Sequence, residues 1–195
     1  MKRSALILIL LFLSVPVWAV KGTPAGKRPL RIAVVHTGDR WADPSLDSAA
    51  AAIEHELVGQ LRQRGAEAWE TRHTLDDAEG NDAPEADLYV EVSAGQARLN
   101  EIGGIGLSDS HVSSTLGVIL SRVAAEVRLY DAHTHELVDR YELSRSKTAV
   151  MPTSIGIGNS HFFAFGVVPI ARHFQYRSAV RDVATEAADR ITAGR

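Results

Sequence analysis

The sequence predicts an α/β fold of the α+β kind: a mixed sheet of about four to six strands with a central hairpin, packed against two main amphipathic helices. Three observations carry that expectation. Leu46, Ala50, Ile53, Leu57 and Leu61 recur every three or four residues, and so do Tyr176, Val180, Val183, Ala187 and Ile191. Val123, Ala125, Val127 and Leu129 alternate with other residues, and a second alternating run follows after a short polar segment. These patterns come in the order strand, helix, strands, hairpin, helix.

The chain opens with an address rather than a structural element. Lys2 and Arg3 precede an apolar run, Ala5 to Val15, which Pro16 ends; Val17-Trp18-Ala19 then offers a cleavage site. That pattern is a secretory signal peptide over residues 1–19, too short to span a bilayer as a helix. The expected mature chain starts near Val20 and works in the periplasm or outside the cell. Removing 19 of 195 residues leaves 176, enough for one domain with its own core. The net charge moves from −3 to −5 once Lys2 and Arg3 are gone, which offers nucleic acid no attraction. There is no cysteine, so the fold holds without disulfides and the sequence offers no lipid-anchor cysteine after the leader. No transmembrane helix is expected in the mature chain.

Each element has a local reason. Residues 20–29 hold Gly22, Pro24, Gly26 and Pro29 and read as a flexible lead-in to a single domain over 30–195. Leu30 to His36 is β-rich and reads as a buried strand. Asp43 can cap the next helix, and Pro44 sits at its first position, where a missing N–H costs nothing. Gly65 ends that helix with a left-handed residue. Ala66 to Arg72 reads as a second strand, with Ala66, Ala68 and Trp69 packing, and Asp76 to Pro84 as an exposed acidic loop. Leu88, Val90 and Val92 alternate and mark a third strand. Leu116 to Tyr130 and Leu137 to Leu143 form the hairpin around a polar turn, Asp131 to His135. Gly95 to Ser114 and Val150 to Ile170 are glycine-punctuated and give no defined element.

Those two segments echo each other. Gly104-Ile105-Gly106-Leu107-Ser108-Asp109-Ser110-His111 has a counterpart in Gly156-Ile157-Gly158-Asn159-Ser160-His161. They flank the hairpin, so its far ends would bring them together as a paired glycine-rich surface at one end of the sheet.

The candidate chemistry is sparse. His133 and His135 have the i, i+2 spacing that puts two imidazoles on one face of a strand, yet zinc needs a third and usually a fourth ligand. A polar hairpin tip is the competing reading, and no metal or other cofactor is expected. Ser110-His111 and Ser160-His161 suggest a nucleophile and base. Neighbours on an extended chain point apart, so only cross pairs, Ser110 with His161 or Ser160 with His111, could work. No Gly-x-Ser-x-Gly elbow presents either serine. Trp41, in the loop after the first strand, could anchor a partner or lid the core. Phe162, Phe163 and Phe165 crowd one stretch; an exposed member such as Phe163 would mark a binding or membrane-contacting surface. The expected binding set is thus Trp41, Ser110, His111, Ser160, His161 and Phe163.

Several phrases resemble a group of bacterial envelope α/β domains. Arg31-Ile32-Ala33-Val34-Val35 resembles their first strand and Ala86-Asp87-Leu88-Tyr89-Val90 their alanine–aspartate–apolar strand. Val127 to Val138 resembles their hairpin with an Asp–Thr turn, and Ala179, Val183 and Ala187 their closing helix. The domains are those of curli-export channel subunits, activator lipoproteins of penicillin-binding proteins, and the N-terminus of the Tol-system propeller protein. The resemblance implies docking, ring assembly or activation of an envelope partner rather than catalysis, with self-association among the options. In the curli-export type, two inserted hairpins per subunit build a membrane barrel, and segments 95–122 and 148–170 sit where those would. This chain lacks that family's lipidated cysteine, and Leu116 to Leu120 and Ile155 to Val168 do not alternate cleanly. A non-catalytic periplasmic interaction or assembly module is the expected function. An oligomeric outer-membrane secretion or pore component and a Ser/His hydrolase are the alternatives.

Overall fold

The computed structural model describes residues 28–35, 37, 44–71, 73–75, 85–108, 112–157, 160–163 and 167–193. They form one mixed sheet and two helices, in the order β1 (Arg31–Val35), α1 (Pro44–Gln63), β2 (Glu67–Glu70), β3 (Leu88–Ser108), β4 (Val112–Asp131), β5 (Leu137–Ile157), β6 (Ser160–Phe163) and α2 (Val167–Ala193). The sheet has six strands in the order β2-β1-β3-β4-β5-β6. β1 is parallel to β2 and β3, and the other pairings are antiparallel.

The helices form in place for the reasons read from the sequence. Pro44 opens α1, and Ile53, Leu57 and Leu61 are fully buried against the sheet. Complete burial of each such side chain is worth about 1.5–3 kcal/mol. Gly65 ends the helix at φ 85°, and the Ala66 N–H reaches back to the Leu61 carbonyl at 3.1 Å while the Gly65 N–H meets Arg62 at 3.0 Å. That is a Schellman close, which satisfies two carbonyls the helix would otherwise leave open. α2 buries Ala179, Val183, Ala184, Ala187, Ala188 and Ile191 in the same core as Val90, Val92, Val123 and Val127. Its small side chains let it lie close to α1 and the sheet. Arg64 ties the two helices, donating to Asp189 Oδ1 at 2.8 Å and to the Gln60 carbonyl at 2.8 Å.

The near end of the sheet is pinned by Asp87. Its carboxylate accepts the Arg31 backbone N–H and an Arg28 guanidinium N–H, each at 2.8 Å. Burial pushes this carboxyl up, but the Arg31 amide and the charges of Arg28 and Arg31 outweigh it, and its pKa falls below the ordinary value. A group with a depressed folded pKa stabilises the fold above its unfolded pKa, about 3.9, and that contribution is lost as pH falls through the folded one. Asp87→Ala is therefore expected to lower stability at neutral pH by about 1–2 kcal/mol. The difference from wild type should shrink in urea titrations carried out at progressively lower pH.

Two stretches differ from the sequence reading. Gly95 to Ser114 is largely strand: β3 continues to Ser108, and β4 begins at Val112, earlier than the alternation shows. The pattern is hidden because β3 carries register shifts between Ala94 and Gln96 and between Glu101 and Gly104. Each bulge reverses which face the following residues occupy. Val150 to Ile170 likewise resolves into the rest of β5, then β6, then the start of α2. A shift beside Pro152 breaks the alternation in β5, and α2 starts at Val167 rather than near Tyr176. Trp41 and the acidic loop 76–84 lie outside the described residues.

Candidate functional site

The long strands give the molecule its distinctive surface. A 20-residue strand such as β4 extends roughly 65 Å, well past a packed core. α2 descends along it from the far end: Ser121 Oγ lies 3.4 Å from Gln175 Oε1, Lys147 pairs with Asp182, Arg145 with Glu186, and Arg190 stacks on Tyr141. The helix side of β4 stays buried through Leu129, Val127, Ala125, Val123, Ser121, Ile119 and Gly117.

The opposite face of the sheet is graded along its length. Near the turn it carries an ion-pair ladder. Glu126 binds Arg128 and, at 2.6 Å, Arg140, while Glu91 accepts from Arg128 at 3.3 Å and from the Tyr130 hydroxyl at 3.2 Å. Burial and the Glu91 charge raise the Tyr130 pKa, and the Glu126 hydrogen bond raises that of Arg128, so at neutral pH the phenol stays neutral and the guanidinium charged. Further along β4, Ala124 and Arg122 follow, and then Leu120, Val118 and Leu116 occupy the same alternating positions. Val150, opposite Val118, is 65 % exposed.

At the far end the glycine-rich echoes do come to one place, but not side by side. Ser108 is opposite Ser113, Ser113 opposite Gly156, and Gly156 opposite His161. The two segments therefore flank β4 at one level, two strand spacings apart, roughly 9–10 Å. They extend the sheet as two hairpins, β3–β4 and β5–β6.

The outer strands of these hairpins are largely unpaired. β1 covers β3 only from Leu88 to Glu91, with the Thr37 hydroxyl adding one bond to the Val92 carbonyl at 2.7 Å. β6 covers β5 only from Ser154 to Ile157. Among the described residues, no strand pairs with the remaining edge of β3 or of β5.

The expected site residues fare differently. Ser160, His161 and Phe163 lie in β6, opposite Ile157, Gly156 and Ser154. Trp41, Ser110 and His111 lie outside the described residues, as does Phe165, so the structure places neither Ser–His cross pair. His133 and His135 lie in the tight polar turn between β4 and β5, not on one strand face. Asp131 Oδ1 accepts the His133 and Thr134 amides at 2.8 and 3.0 Å, and these bonds hold its carboxyl below the usual range. His135 takes a left-handed φ of 57° and packs edge-on to Tyr89 with ring centres 5.7 Å apart, while His133 is exposed. No group of three metal-capable side chains converges among the described residues. The sequence reading missed Arg122, Val150, Phe174 and Arg177. Their signal was present as a β alternation and an i, i+3 helical spacing, but only pairing and helix placement show where each lies.

No family model matches the chain, and no curated protein matches it. Similar solved structures include bacterial lipoproteins. One is a minor lipoprotein from Acinetobacter baumannii, 12% identical over 84% of this chain and 94% of that one, with a TM-score of 0.45. Another is the PelC dodecamer from Paraburkholderia phytofirmans, 15% identical over 83% of this chain and 89% of that one, at 0.40. A third is lipoprotein B from Nitrosomonas europaea, 17% identical over 85% and 84%, at 0.39. The curli-export, penicillin-binding-protein-activator and Tol-propeller resemblances rest on the sequence phrases alone.

Proposed function

We propose that this chain is an exported, non-catalytic assembly module of the bacterial cell envelope that works by joining copies of itself edge to edge. The supporting observation is the pair of uncovered strand edges. β3 is 21 residues long and β1 pairs with it at four positions; β5 is as long and β6 pairs with it at four. Unpaired backbone amides and carbonyls on a long edge are a template for another strand. β3 of one copy would meet the outer edge of the next antiparallel beside the four residues of β6 and parallel along the uncovered length of β5, which runs the same way as β3. Such a contact is head-to-tail, and it closes into a ring when the rotation per copy allows. The bulges support a curved assembly over flat stacking, because each one coils the sheet. The leader over residues 1–19 supplies the export.

Sedimentation velocity on the chain starting at Val20 tests this reading. A discrete oligomer is expected, with alternate amides between Val92 and Leu107 protected from exchange in the oligomer and released on dilution. A monomer at every concentration, or an oligomer that leaves those amides unprotected, overturns it. An outer-membrane component is the second reading, favoured by the Leu116, Val118 and Leu120 series on the open face, and recovery of the native protein in membrane fractions distinguishes it.

A further inference from the structure

The helical layer carries a cleft of about 540 Å³ between α1 and α2, within the size range of small-molecule sites. Phe174, Arg177, Ser178 and Arg181 of α2 line it at i, i+3, i+4 and i+7, so they share one helix face. From α1 come His55, Glu56 and Ala52, whose short side chain leaves room opposite them. The buried Val180 adds an apolar wall. Neither uncovered strand edge lines this cleft.

Its charges do not balance. Glu56 Oε1 accepts from Gln60 Nε2 at 3.0 Å and from Arg181 Nε at 3.3 Å. The Gln60 hydrogen bond, and after it that of Arg181, hold the Glu56 carboxyl below its ordinary pKa against the effect of burial, so Glu56 is ionised and already engaged. His55 meets Glu70 of β2 at 2.8 Å, and Glu70 does not line the cleft. Arg177 has no ion pair, and the Ser178 hydroxyl no hydrogen bond, among the described residues. Arg177 also stands one turn from Arg181, and like charges at that spacing repel. Two guanidiniums thus share one carboxylate, and one positive charge is left over. One turn away on the same face stands Phe174, 67 % exposed. A single anionic group would relieve the repulsion, and an apolar body would cover the ring.

From this arrangement we infer that the cleft between α1 and α2 binds a small monocarboxylate with an aromatic body, its carboxylate held by Arg177 and Ser178 and its ring laid against Phe174. A guanidinium fork matches a carboxylate in two parallel hydrogen bonds. Glu56 in the same cleft disfavours a second negative charge on the ligand, and the two arginines disfavour a cation. This site goes beyond the assembly reading and does not depend on edge pairing.

Saturation-transfer NMR on the chain starting at Val20 tests it, with 3-phenylpropionate as the probe; that chain keeps every described element. Transfer to the probe's ring protons is expected to saturate with concentration. Acetate lacks the ring and 3-phenylpropylamine reverses the charge, so neither should displace the probe at equal concentration. Arg177→Gln should weaken binding about tenfold, and Phe174→Ser about five-fold. The urea midpoint of Arg177→Gln should stay at the wild-type value, because that side chain has no ion pair to lose. Arg122→Gln, which removes an exposed arginine on the open sheet face, should leave binding unchanged. No saturable transfer from wild type, equal displacement by phenylpropylamine, or the same loss from Arg122→Gln overturns the inference. So do losses in both cleft variants that come only with a lowered urea midpoint. Sedimentation of the same samples keeps the two readings apart: an oligomer that ignores the probe sinks only the cleft, and a monomer that binds it sinks only the edge pairing.

Discussion

Leu57→Ala is expected to lower the free energy of unfolding by about 3 kcal/mol, read from the urea midpoint at unchanged slope. Leu57 is fully buried near the middle of α1 and belongs to the cluster that joins α1, α2 and the near half of β1, β3 and β4. Truncation there leaves a cavity walled by side chains from several elements, none of which can collapse into it alone. A loss below about 1 kcal/mol would mean that the site relaxes, and that the near-end core is looser than its burial implies. Edge pairing should survive the change, because Leu57 touches neither uncovered edge. Oligomer content measured well below the unfolding midpoint should therefore match wild type.

Ile119→Asp is expected to act differently. Ile119 is fully buried on the helix side of β4, two residues from Ser121 and opposite Ala149. Lys147, on the same face two residues from Ala149, is already paired with Asp182, so among the described residues a carboxylate there finds no free cation, and the cost is about 4 kcal/mol or more. This stretch lies beyond α1 and is covered by the start of α2. The expected outcome is local release: the first turns of α2 and the middle of β4 and β5 lose amide protection while β1, α1 and Val90 to Val92 keep theirs. Global unfolding at the same temperature would show that the long hairpins and the near-end core form one cooperative unit. The two substitutions thus separate a core that makes the domain from an extension that makes the surface.

The near half of the molecule was legible because its elements obey local rules. Ile53, Leu57 and Leu61 repeat at helical spacing, Val123 to Leu129 alternate, Gly65 stops a helix, and Asp131 nucleates a turn; each signal lies within a few residues of the structure it specifies. The far half was not, and the particular residues say why. Gly95 and the 102–103 pair in β3, and the shift at Pro152 in β5, change the face of every residue beyond them. A period-2 reading across such a point averages to nothing. The Val167-Val168 start of α2 is β-branched, which weakens its helical signal, while Pro169 falls in the first turn, where its missing N–H costs nothing. The two histidines at 133 and 135 show what spacing alone leaves open. Their spacing suits a strand, but the left-handed backbone at His135 turns that ring onto Tyr89.

By itself the sequence determined the class of fold, the two helices with their inward stripes, the hairpin with its polar turn, and a chain without cysteine. These depend on periodicity and on residues whose backbone preference is strong. Only the tertiary structure decided how far β3, β4 and β5 run, which edges stay uncovered, and that the glycine echoes flank β4. The physical reason is that register and level are relations between strands and helices distant in the chain. They are set by which ladder bonds form and by where α2 comes to rest, and no short window of residues contains them.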